Sequence, residues 1–398
     1  MERRRVIQGD ERWFPTPADI IAYNLMEAMR QPPCPICGLM RRAEERFLFS
    51  LFWENVNSPH VRKRLRDSLG FCATHTRAVR QAVNHPWVGP LGIAILYRDF
   101  AQTVLEGVSR PAPLYARLFA RENHRVLRLL SPTKPCWLCE QSEERERTYL
   151  GALVAGLDAS PALRERYGVS HGLCLAHAER TIHTARSGEA RRVIATAAAR
   201  QAQRDNSDAI ANLLLCQCGA ADITASTRLE MQCPGCHAEA MAEQEFLQAI
   251  TPEDLARIWL RLCPTHQGQA TLWTLHRHGS EFAYDLVKQT LAASESEPYD
   301  CPMCDHAHNA AWAALETAGD EARERACLPH ARLALETSTP PEARTWTAAI
   351  AARMGPLVRD LGELIRKHDY RFSDEPLGKE KDSWLRALVF FGGERVNG

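Results

Sequence analysis

The first chemistry this chain offers is that of sulfur. "CPIC" sets Cys34 and Cys37 two residues apart, and after 34 intervening residues "CATH" sets Cys72 and His75 at the same interval. The pattern recurs three times: Cys136 and Cys139 precede Cys174 and His177, Cys233 and Cys236 precede Cys263 and His266, and Cys301 and Cys304 precede Cys327 and His330. Taken in chain order, each CxxC finds its partner in the CxxH that follows, giving four sets of three thiolates and one imidazole. Zinc takes such a set tetrahedrally when a site is closed and structural. Soft donors in that number favour zinc over harder cations. The expected complement is four zinc ions per chain, with no residue shared between sets.

Other uses of paired thiols fit less well. A dithiol redox couple needs neither a histidine at fixed register downstream nor repetition. Cys233 to His237 matches the CxxCH haem-attachment pattern, but only once among four otherwise similar pairs. Cys216 and Cys218 of "CQC" stand outside the four sets. With Cys233 and Cys236 they offer a rival all-cysteine site, against a plainer reading as two thiols with no ligand role.

The segments between the ligands must bring them together. "RRAEERFLFSLFWENV" and "EQSEERERTYLGALVAGL" read as helices, and Ser58, Ser160 and Thr251, each followed by proline, mark helix starts. A helix of about 18 residues beginning near Cys37 carries the chain about 27 Å away. About 10 helical residues after Ser58 return about 15 Å, and about six extended residues add up to 20 Å, enough for Cys72 to rejoin Cys37. Both ligand pairs fall where helices begin, where free N–H groups offset the net negative charge of three thiolates on a divalent ion. Beyond the first CxxH, Ile93, Tyr97, Phe100 and Val104 share one helical face and read as core.

Period-two alternation is almost absent, so the expected fold is mainly α, an array of four zinc-stapled helical units. Punctuation near "SRPAP", "RDNSD" and "SESEP" sets the expected units at 1–111, 112–208, 209–298 and 299–398, the last with a C-terminal helical tail. The 398 residues carry 49 basic and 49 acidic side chains, so no net charge draws the chain to nucleic acid or anionic membrane. No apolar run reaches membrane-spanning length, and the charged start lacks the apolar stretch of a secretory signal. The expected location is therefore cytoplasmic, with the cysteines as thiols or metal thiolates.

No GxGxxG, P-loop, GxSxG or HExxH motif occurs, and four protein ligands leave zinc no open position for substrate. His276, His278, His306 and His308 read as surface histidines. No catalytic residue and no organic cofactor is expected. The preferred function is a noncatalytic zinc-binding helical scaffold mediating protein–protein interaction, its partner unnamed by the sequence. The alternative is a zinc-stabilised RNA- or DNA-binding protein using Arg62, Lys63, Arg64 and Arg66 and the file of Arg192, Arg200 and Arg204, although Asp67, Glu189 and Asp205 lie among them. A thiol-based redox switch is a third reading.

"AYNLMEAMRQPPCPIC", "FWENVNSPHVRKRLRDSLGFCATH", "LGIAILYRDF" and "IRKHDYRFSDEPLGKEKDSWLRAL" together resemble a bacterial family known only as a domain of unknown function. The resemblance is best in the first unit and the C-terminal segment. It implies a cysteine-rich helical protein with metal sites and no assigned activity. It also singles out Lys367 to Phe372 and Trp384, whose plainer reading is a helix C-terminus favouring Lys367 and His368, with the aromatics in the core.

Overall fold

The computed structural model describes residues 20–30, 34–83, 88–110, 122–185, 188–202, 233–263, scattered positions between 266 and 289, and 300–393. Among them every regular element is helical, as the missing alternation implied. In the first half these are α1 (Ile20–Ala28), α2 (Pro35–Phe49, continued by a π turn at Ser50–Glu54), α3 (Pro59–Ser68), α4 (Ala73–Ala82), α5 (Pro90–Ser109), α6 (Glu122–Leu130), α7 (Trp137–Ala159), α8 (Pro161–Val169), α9 (Leu175–Thr184) and α10 (Gly188–Ala202). The second half contributes α11 (Pro234–Ala249), α12 (Pro252–Ile258), α13 (Pro302–Arg325), α14 (Leu328–Thr337), α15 (Pro340–Lys367) and α16 (Ser383–Gly392).

The expected starts hold. Ser160 accepts a hydrogen bond from the Leu163 amide and Thr251 from the Asp254 amide, while Ser58 takes the N-cap position without a side-chain bond. Thr339 closes a capping box with Glu342 at the head of α15. Gly319, at φ 51°, breaks α13 where Ser160 separates α7 from α8 in the first half.

Three apolar cores organise these helices. The largest joins the halves: Tyr97 and Phe100 of α5 pack on Phe391 of α16, with ring centroids 6.1 and 4.7 Å apart, beside Met354 and Leu361 of α15. Ile93, Tyr97, Phe100 and Val104 are all buried, as their spacing implied. Gly92 lets α5 approach the π turn, since a Cβ there would lie 2.0 Å from the Phe52 carbonyl oxygen. A second core unites α1 and α2 with α7 to α10, and a third gathers Trp259, Leu255, Leu262 and Met303.

Within the first half, α2 and α7 run antiparallel. Glu44 meets Ser142 and the Ala43 carbonyl meets Arg145, while Ile36 and Met40 share a core with Leu150 and Leu153. This direction decides which ligands meet.

Candidate metal centres

Eight dipeptide-spaced pairs supply the ligands, and each begins a helix in the same way. The carbonyl of Cys34, Cys72, Cys136, Cys174, Cys233, Cys263, Cys301 and Cys327 accepts the amide four residues on, the first helical hydrogen bond. The leading cysteine therefore sits at the helix cap and its Cys or His partner in the first turn, on the same face. The sequence-based placement at helix starts is what the fold shows.

The pairing is different from the one that chain order suggests. Cys34 and Cys37 meet Cys174 and His177, and Cys72 and His75 meet Cys136 and Cys139. In the second half, Cys233 and Cys236 meet Cys327 and His330, and Cys263 and His266 meet Cys301 and Cys304. All sixteen residues gather into four clusters, but each half holds an outer cluster enclosing an inner one. The clasps join the first expected unit to the second and the third to the fourth.

The reason is a short return path. From Cys37 the chain leaves through α2 and the π turn, about 25 Å of helix, and comes back through only ten residues of α3, about 15 Å. The expected extended bridge does not follow. Leu69 and Gly70 both take positive φ, 51° and 86°, and the Gly70 amide bonds the Leu65 carbonyl, so residues 69–71 turn in place. Cys72 thus stops at the level of Glu44, about 10 Å from Cys37 along α2, where antiparallel α7 delivers Cys136 and Cys139.

Their geometry suits a tetrahedral ion. In a tetrahedron with metal–sulfur bonds of about 2.3 Å and metal–nitrogen bonds of about 2.05 Å, sulfurs lie about 3.8 Å apart and sulfur and nitrogen about 3.6 Å apart. Observed sulfur pairs include Cys37–Cys174 at 3.7 Å, Cys72–Cys139 at 3.7 Å, Cys233–Cys327 at 3.6 Å and Cys263–Cys304 at 3.8 Å. Every histidine turns Nδ1 to the sulfurs, at 3.0 to 3.5 Å for His177 and 3.1 to 3.5 Å for His330. The first outer cluster is buried at all four residues, as is the second, whereas the inner clusters are partly open at Cys72, Cys136, Cys139, Cys263 and Cys304. Gly235 makes room in the second outer cluster, because a Cβ there would lie 2.5 Å from His330 Cδ2.

By themselves these side chains compete for protons. Burial opposes charge on His75, but hydrogen bonds with Cys136 and Cys72 and their charge outweigh it, pushing its pKa up to about 10. His266 is pushed up to about 9 and His330 to about 12 by the same balance. Cys301 falls to about 3, chiefly through its hydrogen bond with Cys263, and Cys136 and Cys233 are held far below the usual thiol range by Cys139 and Cys236. Their neighbours Cys139 and Cys263 are pushed up in turn. A divalent cation at the centre removes the conflict, because it lets every donor deprotonate.

One buried and one half-buried cation stand close by. Arg64, 6% exposed, donates to the Pro135 carbonyl and pairs with Glu140, and Arg353 donates to the Ala326 carbonyl beneath the ring of Phe390. Each carbonyl immediately precedes a ligand cysteine. Burial lowers the pKa of Arg353, against the pull of Cys327 and Cys233.

The residues that reading the sequence missed are carboxylates. His177 Nε2 lies 3.2 Å from Glu146, His266 Nε2 3.2 Å from Glu243, His330 Nε2 3.3 Å from Glu239, and His75 Nε2 3.9 Å from Glu44. At 3.2 to 3.3 Å such a partner fixes which imidazole nitrogen faces the metal, while Glu44 faces His75 as a nearby charge beyond direct hydrogen-bond distance. A signal was present: Glu44, Glu146 and Glu243 each stand seven residues after the second cysteine of a CxxC, and only Ala311 breaks the series.

Other expected residues fall as follows. Arg62 and Arg66 pair with Asp99, Lys63 with Asp67 and Arg192 with Glu189, so the basic file is laced with acids. Cys216, Cys218, Arg204, His276 and His278 lie outside the described residues, and the rival all-cysteine site loses its CPGC half to Cys327 and His330. His306 and His308 are exposed. At the C-terminal segment Lys367 binds Glu380 at 2.7 Å and the Pro376 carbonyl, Arg366 binds Glu363 and Glu375, and His368 caps α15. These contacts close a loop. Trp384 packs on the largest core, but Tyr370 is 85% exposed, so that aromatic is not tucked in as expected.

Fold and clusters together define a mainly α protein that, among the described residues, has four Cys3His clusters suited to metal ions, two nested in each half. Residues 18–203, which take in both clusters of the first half, match the family of unknown function DUF6062. The chain is also 22% identical over 173 residues, 42% of its length and 74% of the relative's, to an uncharacterised 23.9 kDa protein in the xynA 3' region of Caldicellulosiruptor sp. (strain Rt8B.4). No solved structure matches. The resemblance to an uncharacterised Cys/His-rich helical family thus rests on the first half, and Lys367 to Phe372 lie beyond the matched residues.

Proposed function

We propose that the protein is a noncatalytic helical scaffold, stapled by four structural zinc ions, that holds a surface for another protein. The observation that carries this reading is the closure of the clusters. Each offers four protein donors within 4.8 Å of one another at the spacing of a tetrahedral ion, leaving no donor position for substrate. Large apolar side chains left in water, Trp53 and Tyr23 among them, are the kind of anchor a protein partner covers. Free thiols throughout the described residues suit a reducing, cytoplasmic setting. Among those residues no helix is long and apolar enough to cross a membrane.

Elemental analysis of purified protein tests the metal, with four zinc atoms per chain expected. Two or fewer, or stoichiometric iron with a visible chromophore, would refute the assignment. Co-purification from the native cell under mild conditions tests the partner. Acidic partners at Arg62, Lys63, Arg64 and Arg66 disfavour the nucleic-acid alternative. Submicromolar RNA binding that falls steeply with salt would promote it instead.

A further inference from the structure

We infer that the two metal sites of each half load cooperatively, with Glu44 and Glu146 as the positioning residues that couple them in the first half. The inference rests on the zinc reading above and concerns how the ions enter.

The carboxylates are crossed between sites. The N-terminus of α7 is clasped by the inner cluster through Cys136 and Cys139, yet Glu146, two turns along the same helix, faces His177 of the outer cluster. Reciprocally, α2 is clasped by the outer cluster through Cys34 and Cys37, while its Glu44 faces His75 of the inner one. Each carboxylate is itself held: Arg180 lies 2.6 Å from Glu146, and Ser142 donates to Glu44 at 3.0 Å. An ion in the inner site therefore fixes the helix end that aims Glu146, and an ion in the outer site fixes the one that aims Glu44. Removing such a carboxylate typically costs about 10- to 100-fold in metal affinity, so a site whose carboxylate helix is unanchored loses part of that factor. Linkage requires the effect to be equal in both directions.

The second half carries one strut instead of two. Glu243 of α11, the helix clasped by the outer cluster, faces His266 of the inner. The return strut is missing, because Ala311 takes the equivalent place on α13 and His330 is served by Glu239 of α11, a helix that already belongs to its own cluster. Coupling is accordingly weaker there.

Native mass spectrometry of the full chain during zinc titration reads the coupling directly. At half-saturation, chains with one or three zinc ions should fall from the half share of four independent sites to about three in ten, for coupling of about 100-fold in the first half and about 10-fold in the second. The double variant Glu44→Gln, Glu146→Gln should return those odd-numbered chains to about half of the total while still taking four zinc ions at excess, which shows that it folds. A second measurement follows the His177 imidazole signals during competition with a chelator. Cys139→Ser, which disables the inner site, should weaken the outer site by about the same factor as Glu146→Gln, and combining the two should weaken it no further. A binomial distribution with four ions bound, or an outer site indifferent to Cys139→Ser, overturns the coupling and leaves the scaffold standing. A chain that takes up no zinc overturns both.

Discussion

Nested pairing makes a prediction that chain-order pairing reverses. Replacing Cys174 and His177, as Cys174→Ser with His177→Ala, removes half of the outer cluster while leaving 136 residues of chain between the change and Cys37. What then holds the first turn of α2 is the burial of Ile36, Leu39 and Met40, all under 5% exposed. At about 1.5 to 3 kcal/mol each, they contribute about 5 to 9 kcal/mol. Ordering the seven residues 34–40 costs about 7 to 14 kcal/mol in backbone entropy. Unclasped, the turn is balanced or unfavourable, whereas a structural zinc ion contributes about 10 to 16 kcal/mol in small zinc peptides. Hydrogen exchange read by mass spectrometry, in excess zinc, should show amides 38–40 losing at least about a thousandfold in protection, since about 1.4 kcal/mol is a factor of ten and a domain holds at least about 5 kcal/mol. Peptides from α4, clasped by the intact inner cluster, should keep theirs. If residues 38–40 stay protected while the start of α7 opens, Cys174 belongs with Cys136 and Cys139 and the nested arrangement is wrong.

Zinc uptake at pH 7 by the second outer cluster should release about three protons, because His330, raised to about 12, and the upward-shifted thiols of Cys236 and Cys327 hold their protons until metal arrives, while Cys233 is held deprotonated. Affinity should accordingly fall as pH falls, with a log–log slope near three, and a slope near one in weakly buffered titrations would contradict this proton inventory. Alkylation of the native protein should reach the half-buried Cys72, Cys139, Cys263 and Cys304 before Cys34, Cys174 and Cys327, in an order that peptide mass spectrometry reports. Gly235→Ala should lower the zinc content to about three per chain in a modest excess of zinc, because its methyl group collides with His330; an unchanged count and melting temperature would show that the ring can move aside. Arg64→Glu should destabilise the fold by about 3 kcal/mol or more in thermal unfolding, since it buries a carboxylate beside Glu140 and the Cys136 cluster.

The ligands were legible because their chemistry is written in residue type and short spacing. Cys34 with Cys37 and Cys174 with His177 each need only one helical turn to share a face, and the Ser-Pro and Thr-Pro starts are equally local. Pairing was not legible, because it turns on residues 69–71. Leu69 is a non-glycine residue at positive φ, a conformation that hydrophobic period cannot announce, and three residues turning in place rather than extending move Cys72 from one cluster to the next. Glu44, Glu146 and Glu243 occupy a regular sequence position, but their meaning depends on α2 running against α7, a tertiary fact. Arg64 shows the reverse error: within "HVRKRLR" it looked like one more surface cation, and the fold buried it against a carbonyl.

Nesting also sets an order on synthesis. As the chain leaves the ribosome, Cys34 and Cys37 emerge first yet have no mates until Cys174 and His177 follow, with two other helix-starting ligand pairs between them. Cys72 and His75 find Cys136 and Cys139 earlier, so the inner knot can tie while the outer strands still hang loose. The same sequence repeats from Cys233 onward, and only after both knots exist do α15 and α16 arrive to lie across α5. During that interval "CPIC" is a pair of solitary thiols in a crowded cell, exposed to oxidants and to stray metal. A nascent chain stalled before residue 174 therefore presents a different redox target from the finished protein.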